Sequence, residues 1–218
     1  MSEFVVIGLS TFGDVLARTL YKLNQEVLVI DRNKEKIQEI KDSVTKAVVA
    51  DATEKKVLEK FIKGSEATII VSLGDNIEKN VMITYYLKEM GIKRIYVKAT
   101  SLEQGKLLRT IGATDVIYPE RDMAVRTAET LANPNLLESL PLTNEYAIVE
   151  FAVPSQFIGK SLMELKLRNE YGIYVLAVKE VVPEKIIVMP PPDYVFKDSD
   201  VLFILGKLSD IDRLRPST

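Results

Sequence analysis

The stretch Gly8-Leu9-Ser10-Thr11-Phe12-Gly13 follows the apolar run Phe4-Val5-Val6-Ile7 and leads into a helical segment. This strand–GxSxxG–helix junction differs at one position from the dinucleotide-binding fingerprint GxGxxG. Its chemistry belongs to the backbone. Gly8 permits a tight turn, and Gly13 lets the helix pack closely on the strand. The helix N-terminus then offers unpaired N–H groups and a positive dipole end to a phosphate. Ser10 replaces the central glycine where the backbone must approach a pyrophosphate; its small side chain fits there, and its hydroxyl can donate a hydrogen bond. Asp31 closes the next apolar run. It stands where an acidic residue roughly 20 positions past the glycines accepts the ribose hydroxyls of adenosine. Its other reading is a helix N-cap ahead of 34–42. Asp31, with no basic cluster nearby, argues against a 2′-phosphate, although Arg32 keeps that possibility open.

Two more polar loops end apolar runs, where ligands of parallel sheets gather. Asp51-Ala52-Thr53 can meet the adenine amino group through Asp51, or Thr53 can cap the helix that follows. Ser72-Leu73-Gly74-Asp75-Asn76 is short and polar, with Gly74 allowing close approach of a ligand. Lys98 ends a fifth run and is read either as a phosphate contact in the same crevice or as a solvated surface lysine.

Other chemistries are missing their residues. The 218-residue chain contains no His, Cys or Trp, which excludes a Ser-His-Asp triad, a Cys nucleophile, disulfides and an ordinary zinc site. None of its 9 tyrosines is followed by Lys in the Tyr-x-x-x-Lys spacing of a hydride-transfer enzyme. The P-loop pattern GxxxxGK[ST] is also absent. A small NAD-dependent oxidoreductase, with Lys98 as the candidate acid/base group, is the alternative to binding without catalysis. The net charge of -2 argues against a nucleic-acid partner. No apolar run approaches the roughly 18 residues of a membrane span. No signal-length apolar stretch opens the chain, so a cytoplasmic location is expected.

The elements that must carry these residues alternate along the first 120 positions. Strand-like runs at 4–7, 26–30, 46–49, 68–71, 95–97 and 116–118 are separated by helical segments at 13–24, 34–42, 54–62, 77–90, 102–110 and 120–132. Continuous Val/Ile runs between helices predict a Rossmann-like, doubly wound parallel α/β sheet covered on both faces. The rhythm breaks at Asn133-Pro134-Asn135. Strand-like runs at 146–153, 173–178, 186–188 and 201–205 follow, with short helical pieces near 161–167 and 207–214 and a stiff turn at Pro190-Pro191-Pro192. They predict a small α+β C-terminal subdomain. The expected division is 1–132, a 133–144 hinge, and 145–218.

Gly8–Gly13, Asp31, Ala50-Asp51-Ala52-Thr53-Glu54 and Tyr118-Pro119-Glu120-Arg121-Asp122-Met123-Ala124 together resemble the RCK (or KTN) domain of the TrkA/KtrA family. The resemblance covers essentially the whole chain. It implies a cytosolic regulatory subunit of a potassium channel or transporter, paired as a homodimer and assembled into an octameric gating ring. The ligand it implies is an adenine nucleotide: AMP, ADP, ATP or NAD/NADH. Glu120 matches a glutamate that can take part in a cation site between paired chains; otherwise it is an acid in a first helical turn. Thr11 stands where several relatives have an arginine reaching the terminal phosphate of ATP, so ligands lacking the γ-phosphate gain weight. Some relatives bind cyclic di-AMP in the C-terminal subdomain, and Arg168 and Asn169 lie in the comparable segment.

Overall fold

In the computed structural model, residues 3–74, 76–132, 136–182 and 184–214 are described. The chain divides into two compact units, Met1–Met123 and Ala124–Thr218. The first alternates strand and helix: β1 (Phe4–Ile7), α1 (Thr11–Lys22), β2 (Val27–Asp31), α2 (Lys34–Ile40), β3 (Lys46–Val49), α3 (Lys55–Ile62), β4 (Thr68–Val71), α4 (Ile77–Glu89), β5 (Arg94–Lys98), α5 (Leu102–Ile111) and β6 (Asp115–Ile117). The strands form one parallel sheet in the order β3-β2-β1-β4-β5-β6. This is the doubly wound topology, with its direction of winding reversed between β1 and β4.

Successive strand residues point to opposite faces, so a strand buried on both sides must be apolar throughout. Val5 and Ile7 of β1 and Leu28 and Ile30 of β2 pack into one layer with Leu58 of α3, Ile83 and Leu87 of α4 and Leu108 of α5. Their neighbours Val6, Val27 and Val29 pack on the other face with Ala17 of α1 and Ile37 and Ile40 of α2. Helix starts are fixed by side-chain caps: Ser10, Asn33, Asn76 and Ser101 each accept a backbone N–H of the following turn. Asn33, and not Asp31, caps α2. Thr53 does not cap α3; the capping position is Glu54, without a side-chain bond.

Helix α6 (Pro119–Ala132) carries the division between the units within its own length, after Met123, whereas the sequence places the domain end at 132. The second unit contains β7 (Leu136–Pro141), β8 (Tyr146–Ala152), α7 (Leu162–Leu165), α8 (Leu167–Glu170), β9 (Tyr174–Glu180), β10 (Lys185–Val188), β11 (Val201–Lys207) and α9 (Leu208–Asp212). Its strands pair antiparallel in the order β10-β9-β11-β8-β7. One face of β8, carrying Ala147, Val149 and Phe151, packs with Phe157, Phe196, Leu202 and Ile204.

Strand β7 lies inside the segment read from sequence as a hinge. Its residues do not alternate between buried and exposed, and its register with β8 shifts between Leu136 and Glu138, so no period-2 signal marks it. Pairing with β8 makes it a strand. Asn133-Pro134-Asn135 themselves lie outside the described residues. The helical piece expected at 161–167 is two short helices, because Lys166 takes a left-handed φ of 44° between them.

Candidate functional site

The loops after β1, β2, β3 and β4 converge at the C-terminal ends of the strands and enclose a crevice of about 340 Å³. From the residues singled out in the sequence, Gly8, Ser10, Asp31, Arg32, Asp51, Ala52, Thr53, Ser72, Leu73 and Gly74 line it. Gly8 adopts φ 93°, and a Cβ there would sit 2.5 Å from the Ser72 carbonyl oxygen. A Cβ on Gly13 would lie 2.2 Å from the Gly8 carbonyl oxygen. Both glycines are therefore required by close backbone approach, and they seat the N-terminus of α1 against the end of β1.

Ser10 lines the crevice, and its hydroxyl is also engaged within the protein. Its Oγ accepts from the Gly13 N–H at 3.3 Å and lies 2.6 Å from Ser72 Oγ, which is fully buried. A side chain is tolerated at the central position because it folds down onto Ser72 and caps the helix behind the loop. Thr11, Phe12 and Gly13 form the first turn of α1 and do not line the crevice.

Asp31 uses both oxygens on backbone: Oδ2 accepts from the Leu9 N–H at 2.5 Å, and Oδ1 from the Asn33 N–H at 2.7 Å. The carboxylate thus ties the β1 and β2 loops together beside the crevice. Asp51 accepts from the Thr53 hydroxyl at 2.7 Å and the Thr53 N–H at 2.9 Å, both at Oδ1. Those bonds, with help from Lys79 and Arg32, hold its carboxyl below the usual carboxylate range. Asn76 caps α4 by accepting from the Lys79 N–H at 2.9 Å and does not line the crevice. Asp75 lies outside the described residues.

Lys98 departs from the expectation. It is buried, with a side chain 7% exposed, and its ammonium is bonded to Glu120, whose own side chain is 65% exposed. It does not line the crevice. The same bond holds the Glu120 carboxyl below the usual range. The strand end gives Lys98 its position, but the partner on α6 gives it its direction. No group of three or more metal-ligating side chains occurs among the described residues. Arg168 and Asn169 line a separate hollow in the second unit, of about 290 Å³, and the Arg168 guanidinium lies 5.2 Å from the centre of the Tyr174 ring.

Sequence reasoning missed two crevice cations, Lys36 of α2 and Lys79 of α4. In the sequence both are ordinary lysines of helices with one buried face, and only the fold brings them to the strand ends. With Arg32 they line the same crevice as Asp31 and Asp51, so it offers both signs of charge. That combination suits a ligand with a hydroxyl-bearing sugar and an anionic end.

The TrkA-N domain profile matches residues 4–119, and the TrkA-C domain profile matches residues 147–217. Ktr system potassium uptake protein A of Bacillus subtilis (strain 168) is 36% identical over 211 residues, covering 97% of this chain and 94% of that protein. The GsuK RCK domain superposes with a TM-score of 0.66 at 20% identity, over 98% of this chain and 47% of that one. A GsuK channel bound to NAD gives a TM-score of 0.66 at 19% identity, over 100% of this chain and 40% of that one. The chain thus spans about half of the GsuK chains, and at these identities the likeness is one of fold. Matching domains in order through both units, with a relative alike along nearly its whole length, show that the chain belongs to the TrkA/KtrA family of RCK-domain proteins.

Proposed function

We propose that this chain is the nucleotide-sensing regulatory subunit of a potassium uptake system, with an adenine nucleotide in the crevice at the β1–β4 reversal. The observation that carries the reading is the crevice itself. Gly8 and Gly13 seat the N-terminus of α1 against the end of β1, its N-cap Ser10 lines the crevice, and Asp31 lines it at the end of β2; in the proposed complex the first meets the phosphate and the second the ribose. Beside them is no His or Cys to run a hydride or acyl transfer. Such a site binds a nucleotide without consuming it.

Regulation then follows from linkage. A nucleotide biases a pore only through a difference in its affinity for two states of the regulatory assembly. That assembly is a homodimer repeated into an octameric ring on a membrane-embedded potassium-translocating subunit, at the cytoplasmic face. No helix among the described residues is long and apolar enough to cross a membrane, in keeping with a pore supplied by another chain. A cation at Glu120 would compete with Lys98 for the carboxylate. In the C-terminal unit, cyclic di-AMP would meet Arg168 already packed on Tyr174.

The test is rubidium flux in vesicles that carry the translocating subunit together with this chain. AMP, ADP, ATP, NAD and NADH should change the flux to different extents, and Asp31→Ala should abolish the differences. Flux that ignores both the chain and every nucleotide would refute the reading.

A further inference from the structure

Leu9 is held at both ends of its backbone by charged side chains. Its N–H donates to Asp31 Oδ2 at 2.5 Å, and its carbonyl accepts from Lys36 Nζ at 2.6 Å. Its side chain is buried against the α1–α2 face of the sheet. Both bonds have the short length of charge-assisted hydrogen bonds. The Leu9 carbonyl belongs to the same planar trans peptide as the Ser10 N–H, so fixing the oxygen fixes the N–H in the opposite direction. Ser10 is the N-cap of α1 and lines the crevice on the side that the proposed function gives to the phosphate. The ammonium of α2 therefore sets the orientation of a peptide at the phosphate end of the crevice, while Asp31 sets the peptide before it.

We propose that Lys36 is a positioning residue for the phosphate of the bound nucleotide, acting through the Leu9 carbonyl. This rests on the reading of the crevice as an adenine-nucleotide site. Without the ammonium, the Leu9–Ser10 peptide loses the side-chain bond on its carbonyl, and part of the binding free energy is spent on ordering it when the phosphate arrives. The nucleoside portion, held at Asp31 and the β3 and β4 loops, does not depend on that peptide.

The experiment is calorimetric titration of wild type, Lys36→Met and Lys36→Arg with AMP and with adenosine. Lys36→Met should weaken AMP by about tenfold and leave adenosine within about twofold. Lys36→Arg, which keeps a charged donor, should recover most of the loss. Because the effect is local and not a long-range attraction, it should be of similar size at about 0.05 M and 0.5 M salt. Three results overturn the proposal: unchanged AMP affinity in Lys36→Met, equal loss for AMP and adenosine, or a loss that vanishes at high salt. If the wild-type chain binds neither AMP nor adenosine, the same titrations are made with ADP, ATP, NAD and NADH, and failure of every one removes the site reading and the proposal with it. The other three results leave that reading standing.

Discussion

The two sheets of this chain divide their surfaces differently, and the difference decides where a ligand goes. All strands of β3-β2-β1-β4-β5-β6 run the same way, so the loops after them gather at one end, next to the reversal between β1 and β4. Both faces are covered, which forces β1, β2 and β4 to be apolar along their length and leaves the polar residues to the strand ends. The antiparallel sheet β10-β9-β11-β8-β7 sends successive loops to opposite ends. Its strand β8 alternates buried and part-exposed residues, so its solvent-facing positions are spread along the strand. Parallel topology concentrates chemistry; antiparallel topology distributes it.

Removing the aromatic centre of the second unit should separate the two regions most strongly. Phe157 is fully buried, with ring contacts to Tyr171 at 5.5 Å and Phe196 at 6.5 Å. Phe157→Ala should cost about 3–5 kcal/mol. In scanning calorimetry the loss should appear in a transition that AMP does not shift, while AMP affinity stays within about twofold. Closing the crevice should do the reverse. In Gly13→Ala the new Cβ meets the Gly8 carbonyl oxygen at 2.2 Å, so the β1–α1 junction must open, at about 2–3 kcal/mol. AMP titration should show a loss of about thirtyfold or more.

A smaller change should sharpen the contrast within the crevice. Ser10→Ala removes the cap on Gly13 and the partner of buried Ser72, and should cost the first unit about 1–2 kcal/mol in urea unfolding. The smallest effect concerns pH. The Glu120 carboxyl is held below its usual value of 4.5 by Lys98, so the folded state loses protons more readily than the unfolded one. Its stabilisation is present above that usual value and disappears as pH falls through the lowered one. The side chain is 65% exposed, so after solvent screening the contribution is about 0.5 kcal/mol or less. Wild type should lose slightly more stability than Glu120→Gln on acidification below pH 4.5, read by urea unfolding at each pH.

What the sequence made legible follows the same contrast. Buried parallel strands are written as unbroken Val/Ile runs, and the loops after them are local in sequence. Gly8, Asp31, Asp51 and Gly74 could therefore be assigned to one crevice from their places after strands. Lys36 and Lys79 could not, because a lysine on a half-buried helix carries no mark of the loop it meets in the fold. The place of Lys98 at the end of β5 is legible in its apolar run, but its direction depends on Glu120 of α6, 22 positions further on. Ser10 was recognised at the central position, yet the use of its hydroxyl depends on Ser72 across the sheet reversal. Strand β7 was hidden for the same reason: its pairing with β8, and not its own pattern, makes it a strand.

The central claim is that the crevice at the parallel strand ends takes an adenine nucleotide. Calorimetric titration of the full chain with AMP, ADP, ATP, NAD and NADH tests it most directly, with Asp31→Ala as the paired variant. The account predicts saturable one-site binding of at least one of these ligands, weakened at least about tenfold in the variant. Failure of all five to bind at millimolar concentration, or equal affinity in wild type and Asp31→Ala, would contradict it.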